Sequence, residues 1–199
     1  KIEPMGSEFL KQIKEGRTVS TRNLKKVYKS GRVAVNGLDL DLFEGQISVL
    51  LGHNGAGKST TIGIITGLVP PTSGQVLVRG KPVGNNIRGG IGVCPQHDAL
   101  LPTLSVSQHL RLYGAVKGLP IKRIETEAKK IANEVGLREK WDQPSSSLSG
   151  GQKRKLSVAI ALIGGSEVVI LDEPTSGMDP YSRRSTWDVI LRNRQGRVL

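Results

Sequence analysis

Gly52-His53-Asn54-Gly55-Ala56-Gly57-Lys58-Ser59 matches the spacing G-x-x-x-x-G-K-[ST]. A short apolar run at 46–51 precedes it and a helical stretch at 57–67 follows it, which predicts a strand, a loop and a helix in that order. Glycines at these places let backbone N–H groups turn inward around a polyphosphate, and the helix N-terminus adds positive potential. In such a loop Lys58 reaches the β- and γ-phosphates, while the Ser59 hydroxyl goes to Mg2+ and Thr60 enters the first helical turn. His53 lies inside the loop at a position the motif leaves free, so it is expected to bind ATP with the rest of the loop and Thr60 but not to act catalytically.

A second run, Val168-Val169-Ile170-Leu171-Asp172-Glu173, has no apolar/polar alternation, as expected of a central parallel strand covered on both faces. Two carboxylates at the carboxyl end of such a strand fall in the crevice where α/β sheets bind ligands. Asp172 is placed to hold Mg2+, directly or through water. Glu173 is placed to polarise the water that attacks a γ-phosphate.

The rest of the pattern is mixed α/β. Strand character is read at 18–28, 33–43, 75–79 and 91–94, and again at 197–199, where the sequence stops in mid-element. Amphipathic helices are read at 105–117 and 121–135, with another helix at 151–163 and one running from Pro180 toward Arg194. Residues 1–16 show no clear period and read as a linker or an appended segment, with Met5-Gly6-Ser7-Glu8-Phe9 of undecided origin.

The chain has 199 residues, 37% hydrophobic residues, 25 glycines and one cysteine, Cys94. This is the composition of a folded domain with a core of its own, and it excludes a disulfide framework. No 18-residue apolar window occurs, so these residues do not cross a membrane as a helix. The formal charge is +12, gathered at 1–32 (+6), 111–140 (+4) and 183–199 (+4) rather than in one stripe. With 4% aromatic residues, a stacking platform for single-stranded nucleic acid is poorly supplied.

Leu148-Ser149-Gly150-Gly151-Gln152 opens the helix before the acidic strand and makes a second anion-binding helix start. With this motif the sequence resembles the ATP-binding cassette (ABC) family, whose signature it matches without departure, over about residues 18–199. The resemblance implies an α/β P-loop NTPase (RecA-like) core with a mostly parallel sheet. An antiparallel β subdomain and a helical signature subdomain are attached to it, and the C-terminal part is missing. The implied division is a single ATP-binding domain over 17–199, with core at 17–96 and 165–199 and helical subdomain at 97–164.

The resemblance also assigns roles. Gln96 matches the glutamine loop, with a place near Mg2+. Tyr28 lies where the family stacks an aromatic ring on adenine, although it also reads as an ordinary strand residue. Ser176-Gly177-Met178-Asp179 resembles the D-loop, which puts Asp179 at a dimer interface; a helix N-cap is its other reading, and both roles are compatible. Ser149, Gly150, Gly151 and Gln152 would contact the ATP of a second cassette packed head to tail. Cys94 reads as a small core residue, and His97 and His109 as surface or core histidines.

Residues 94–101 (Cys94-Pro95-Gln96-His97-Asp98-Ala99-Leu100-Leu101) and 149–180 look like cassettes of the A subfamily, many of which export or flip lipids. The expectation is therefore an ATPase on the cytoplasmic face of a membrane, joined to transmembrane domains and a second cassette, with ATP and Mg2+ as ligands. One departure stands against full activity. The family's γ-phosphate histidine follows a strand that would begin near Arg197, and the three histidines here all precede residue 110. ATP binding is expected of these residues, efficient hydrolysis less so. The rival expectations are a soluble ABC-type ATPase acting on nucleic acid or ribosomes, and a cassette that dimerises on ATP without turnover. The spread of charge disfavours the first and Glu173 the second.

Overall fold

The computed structural model describes residues 6–83 and 90–199. These separate into two compact units, one of residues 6–83 with 198–199, the other of residues 90–197.

The first unit is built on an antiparallel sheet. Strands β1 (Thr18–Val27), β2 (Val33–Phe43), β3 (Ser73–Val78) and β4 (Lys81–Pro82) lie in the order β2-β1-β3-β4. Val19, Leu24, Val35, Val76 and Val78 are buried; β3 alternates at Val76 and Val78, whereas β1 buries Thr18 to Thr21 in one run before its register shift. Helix α2 (Lys58–Ile65) buries Ile64 and Ile65.

Two expectations need correction here. The stretch read as a linker contains helix α1 (Ser7–Lys14). Phe9 packs on Phe43 with ring centroids 4.7 Å apart. Gln12 is buried and pairs with the Glu44 backbone, its Oε1 accepting from the Glu44 N–H at 3.0 Å. Glu44 in turn accepts from Arg79 and Arg17, and these contacts hold its carboxyl below the usual range. The helix is two turns long with Phe9, Leu10 and Ile13 on one face, and a polar side chain anchors it. Met5 lies outside the described residues. Second, residues 46–51 and 197–199 form no named strand. The Ser48 N–H donates to the Leu199 carbonyl at 2.7 Å, and one such bond does not make a ladder. Val49 and Leu51 are 66% and 85% exposed, so the short apolar strand expected before the phosphate loop is neither paired as a ladder nor covered.

The second unit holds the parallel part of the fold. Strands β5 (Ile91–Cys94) and β6 (Val168–Leu171) pair in parallel, Cys94 beside Leu171. Helices α3 (Val106–Val116), α4 (Ile121–Glu134), α5 (Gly150–Leu162) and α6 (Pro180–Arg192) complete it. Strand β5 runs so close to α5 that a Cβ on Gly92 would collide with the Ala161 carbonyl. Cys94 is buried, which raises its thiol to about 11 and marks it as core. His109 is also core. Its Nδ1 bonds the Ser105 carbonyl, so its Nε2 is the acceptor for the Leu101 N–H at 2.9 Å.

Lys117 closes the C-terminal end of α5. Its Nζ lies 2.8 Å from the Ile160 and Ala161 carbonyls, 3.0 Å from that of Ile163 and 2.9 Å from Ser166 Oγ. Burial and Arg197 draw this amine down to about 7, yet charged or neutral it remains the donor these carbonyls face. Lys117→Met is expected to lower stability by about 2 kcal/mol, the cost of stranding buried acceptors. The check is a fall in the urea midpoint with an unchanged slope; an unshifted midpoint would refute it.

Candidate functional site

In the first unit the phosphate loop, Gly52 to Gly57, delivers the chain into α2. Gly57 is the N-cap, at φ +90°, and a Cβ there would collide with the Ala34 carbonyl, so only glycine fits. A glycine N-cap has no side chain to satisfy the first amides of α2, which stay open to a ligand. Lys58 lies across the loop, its Nζ 2.6 Å from the Gly52 carbonyl and 3.0 Å from that of His53. Gly52, His53, Asn54, Gly55, Ala56 and Ser59 are exposed. The His53 ring turns to its own loop, Nδ1 2.9 Å from the Asn54 carbonyl.

Tyr28 ends the β1 side of the hairpin with its ring 40% exposed, and its hydroxyl lies 3.1 Å from Thr60 Oγ1. The loop start and this aromatic therefore belong to one local cluster. Sequence reading missed a neighbour: Arg32 Nη2 lies 3.3 Å from where a Gly55 Cβ would stand, a second cation beside the loop. No spacing rule ties a hairpin arginine to a loop more than 20 residues on.

In the second unit β5 and β6 end side by side, the Asp172 N–H donating to the Cys94 carbonyl at 2.9 Å. Gln96 leaves β5 and Asp172 and Glu173 leave β6, so these three emerge from one pair of strand ends. Gln96 and Glu173 are exposed and Asp172 is half-buried. Glu173 sits at φ +47°, a backbone conformation uncommon outside glycine. Arg154, which sequence reading also passed over, is buried beneath them. It donates to the carbonyls of Pro95, Gln96, Asp172 and Glu173. The only signal was a cation two residues after the signature, indistinguishable from its neighbours Lys153 and Lys155.

The signature turn caps α5. Ser149 Oγ accepts from the Gln152 N–H at 3.3 Å and Gln152 Oε1 accepts from the Ser149 N–H at 3.0 Å, a reciprocal capping box. Gln152 thus has a local task, and the Ser149 hydroxyl proton is left to donate elsewhere. Ser149 and Gly150 are exposed, and nothing lies within 4 Å of a Cβ built on Gly150 or Gly151. Ser149, Gly151, Gln152, Lys155, Gly177 and Asp179 share a cleft of about 210 Å³. Asp179 caps α6, Oδ1 accepting from the Ser182 N–H at 3.0 Å, and that bond holds its carboxyl below the usual range.

Ser59 belongs to the first unit, Gln96 and Asp172 to the second. Among the described residues no group of three His, Cys, Asp or Glu side chains gathers to form a protein-only metal cage. The first unit offers the Ser59 hydroxyl, and the second offers an amide at Gln96 and a carboxylate at Asp172, each a hard oxygen donor of the kind Mg2+ takes. The bare amides of α2 fit a polyphosphate in the same way.

Comparison with known proteins places the chain in a family. The ABC transporter family model matches residues 35–176. The chain is 49% identical over 187 residues to the phospholipid-transporting ATPase ABCA3 of Homo sapiens, covering 91% of this chain and 11% of that protein. It is 52% identical over 188 residues to ABC transporter A family member 2 of Dictyostelium discoideum, covering 92% and 12%. The chain thus spans about a tenth of the length of these curated relatives. Its fold is similar to cbiO1 from Clostridium perfringens, part of the ABC transporter complex cbiONQ, with a TM-score of 0.79, 28% identity, and coverage of 88% of this chain and 73% of that one. A dimeric bacterial ABC transporter cassette, MJ0796, has a TM-score of 0.78 at 24% identity, with 86% and 81% covered. With the phosphate loop, the acidic strand end and the signature turn in place, and with relatives of the A family at about half identity, the chain belongs to the ABC transporter family.

Proposed function

We propose that this chain binds Mg-ATP and, within the intact protein, hydrolyses it to drive phospholipid movement across a membrane. The observation that carries the reading is that one chain presents two open helix starts built for phosphate, α2 behind Gly57 and α5 behind Ser149. One nucleotide needs one such cradle. The second then serves the ATP of another cassette, identical or homologous, which makes ATP the bond between two half-sites.

In this reading the α2 amides and Lys58 take the β- and γ-phosphates, and Tyr28 offers its exposed ring to adenine. Ser59, Asp172 and Gln96 would hold Mg2+, which supplies charge neutralisation on the phosphates when bound. Glu173 accepts a proton from the attacking water. Ser149 Oγ–H and the amides of Gly150 and Gly151 donate to the γ-phosphate held by the partner cassette, with Asp179 at the rim of the same cleft. Contacts to a γ-phosphate exist with ATP and vanish with ADP, so hydrolysis changes which assembly is favoured.

The phospholipid cargo rests on relatives named for it and on transmembrane partners that this chain would serve. No helix among the described residues is long and apolar enough to cross a membrane. Nothing found favours nucleic acid as the partner.

Two measurements on the intact protein test the reading. Reconstituted in phosphatidylcholine and phosphatidylserine vesicles, it is expected to move a fluorescent phospholipid with Mg-ATP and not with Mg-ADP; equal rates with both would overturn the transport assignment. Ser149→Arg fills the open cleft with a bulky cation. It is expected to keep binding of an azido-ATP photolabel within twofold and to lower ATP turnover at least twentyfold. Turnover at the wild-type rate would remove the signature turn from the site.

A further inference from the structure

Arg154 is a buried guanidinium beside the acidic strand end, and most of its hydrogen bonds go to backbone carbonyls. Its side chain is 5% exposed. Nη1 donates to the carbonyls of Pro95 and Gln96, the latter at 3.3 Å, and lies 3.4 Å from Asp98 Oδ1. Nη2 donates to the carbonyls of Asp172 and Glu173, the latter at 2.8 Å. Nε is buried with no hydrogen-bond partner among the described residues.

The placement of these bonds is specific. The Asp172 and Glu173 carbonyls belong to the peptide planes on either side of the Glu173 Cα, so Nη2 fixes both dihedrals of that residue. Glu173 is also one of three non-glycine residues at positive φ among the described residues, a conformation that persists where surroundings impose it. On its other edge the guanidinium grips the loop that carries Gln96. Asp98 is held in turn by Ser157 Oγ at 2.8 Å, one turn further along α5.

Arg154 also lies on the helix that the signature turn begins. It is five residues past Ser149, about 7.5 Å along the axis. Helix α5 is closed at its start by the Ser149–Gln152 capping box and at its end by Lys117, so its first turns move as one body. A buried arginine is a poor choice for stability alone, since apolar residues of like volume at such sites are often as stabilising or more so. Five donors on one rigid plane, reaching two loops at once, are what an apolar residue lacks.

We propose that Arg154 is a positioning residue, holding the backbone of Glu173 and of Gln96 in one frame with the signature turn, so that ATP turnover depends on it while ATP binding does not. The proposal rests on the ATPase reading above and adds to it a residue that touches neither phosphate nor water.

The test uses the intact protein and four forms, wild type, Arg154→Met, Arg154→Lys and Lys58→Ala, with steady-state phosphate release, Mg-ATP affinity and thermal midpoint measured for each. Arg154→Met is expected to lower kcat at least tenfold with the Mg-ATP Kd within twofold and the midpoint within a few degrees. Arg154→Lys is expected to recover part of the loss, because an ammonium can serve the Asp172 and Glu173 carbonyls without reaching the Gln96 loop as well. Turnover of Arg154→Met at the wild-type level overturns the proposal, as does a loss of affinity as large as the loss of kcat. If Arg154→Met does not fold, Arg154→Lys decides in the same way: reduced kcat at unchanged Kd supports the proposal, and wild-type kcat ends it. Lys58→Ala separates the two claims. If it too releases phosphate at the wild-type rate, that release does not come from this phosphate loop and the ATPase reading of the site has failed; if it is inactive while the Arg154 variants are fully active, only the positioning role has.

Discussion

Lys58→Ala is expected to abolish measurable binding of Mg-ATP. The ammonium sits over the phosphate loop with its stem anchored at the first residue of α2, and its present acceptors are two loop carbonyls, Gly52 at 2.6 Å and His53 at 3.0 Å. Those carbonyls are weak rivals for a polyphosphate, so the amine is available when one arrives. Charge-assisted bonds from it to two phosphate groups are together worth about 3 kcal/mol or more, roughly a hundredfold or greater in Kd. The loop amides alone cannot replace a full positive charge against a ligand bearing several negative ones. Isothermal titration with Mg-ATP on the intact protein checks this, with circular dichroism to confirm that the variant folds. A binding isotherm superimposable on wild type would remove Lys58 from the site and the phosphate-loop assignment with it.

What the sequence could show divides along physical lines. The phosphate loop, the acidic strand end and the signature turn are each local: the residues that form them are contiguous, and glycine or serine at a fixed offset is the physical requirement itself. Gly57 at φ +90° and the Ser149–Gln152 capping box are therefore found where spacing puts them. Helices α3 and α4 were equally readable, because an amphipathic period over 11 and 14 residues averages out local noise. Other features depend on distant partners. Residues 46–51 have the composition of a strand, but a ladder needs neighbours, and the bond from Ser48 to Leu199 is all the pairing described there. Helix α1 owes its place to Gln12 meeting the backbone of Glu44, 32 residues away, which no composition rule anticipates. Arg154 is the clearest case. It stands between two lysines in sequence, and only the fold shows that it alone turns inward, to acceptors 18 to 59 residues distant. Gln152 has a local task as well, its Oε1 accepting from the Ser149 N–H.

Glu173→Gln is expected to separate ATP binding from its consumption more cleanly than any other substitution. The two side chains have nearly the same shape, so the change removes a proton acceptor and little else. Glu173 is exposed, and the bond that Arg154 makes to this residue goes to its carbonyl, so the substitution leaves the guanidinium clamp and the positive φ in place. The phosphate loop, Lys58 and Ser59 are untouched, which predicts a Kd for Mg-ATP within about threefold of wild type. A positioned general base contributes about 100- to 10,000-fold to such a step, so single-turnover phosphate release should fall by at least a hundredfold. With the γ-phosphate retained, its contacts to a second cassette persist as well. The variant should therefore accumulate as an ATP-bound closed assembly, resistant to nucleotide exchange, where the wild-type protein returns to the open one. Phosphate release at the wild-type rate would remove Glu173 as the base. It would leave Asp172, the other carboxylate at the end of β6, as the group to test next, since a base must lie within one water of the proton it takes and the strand end offers no further acid.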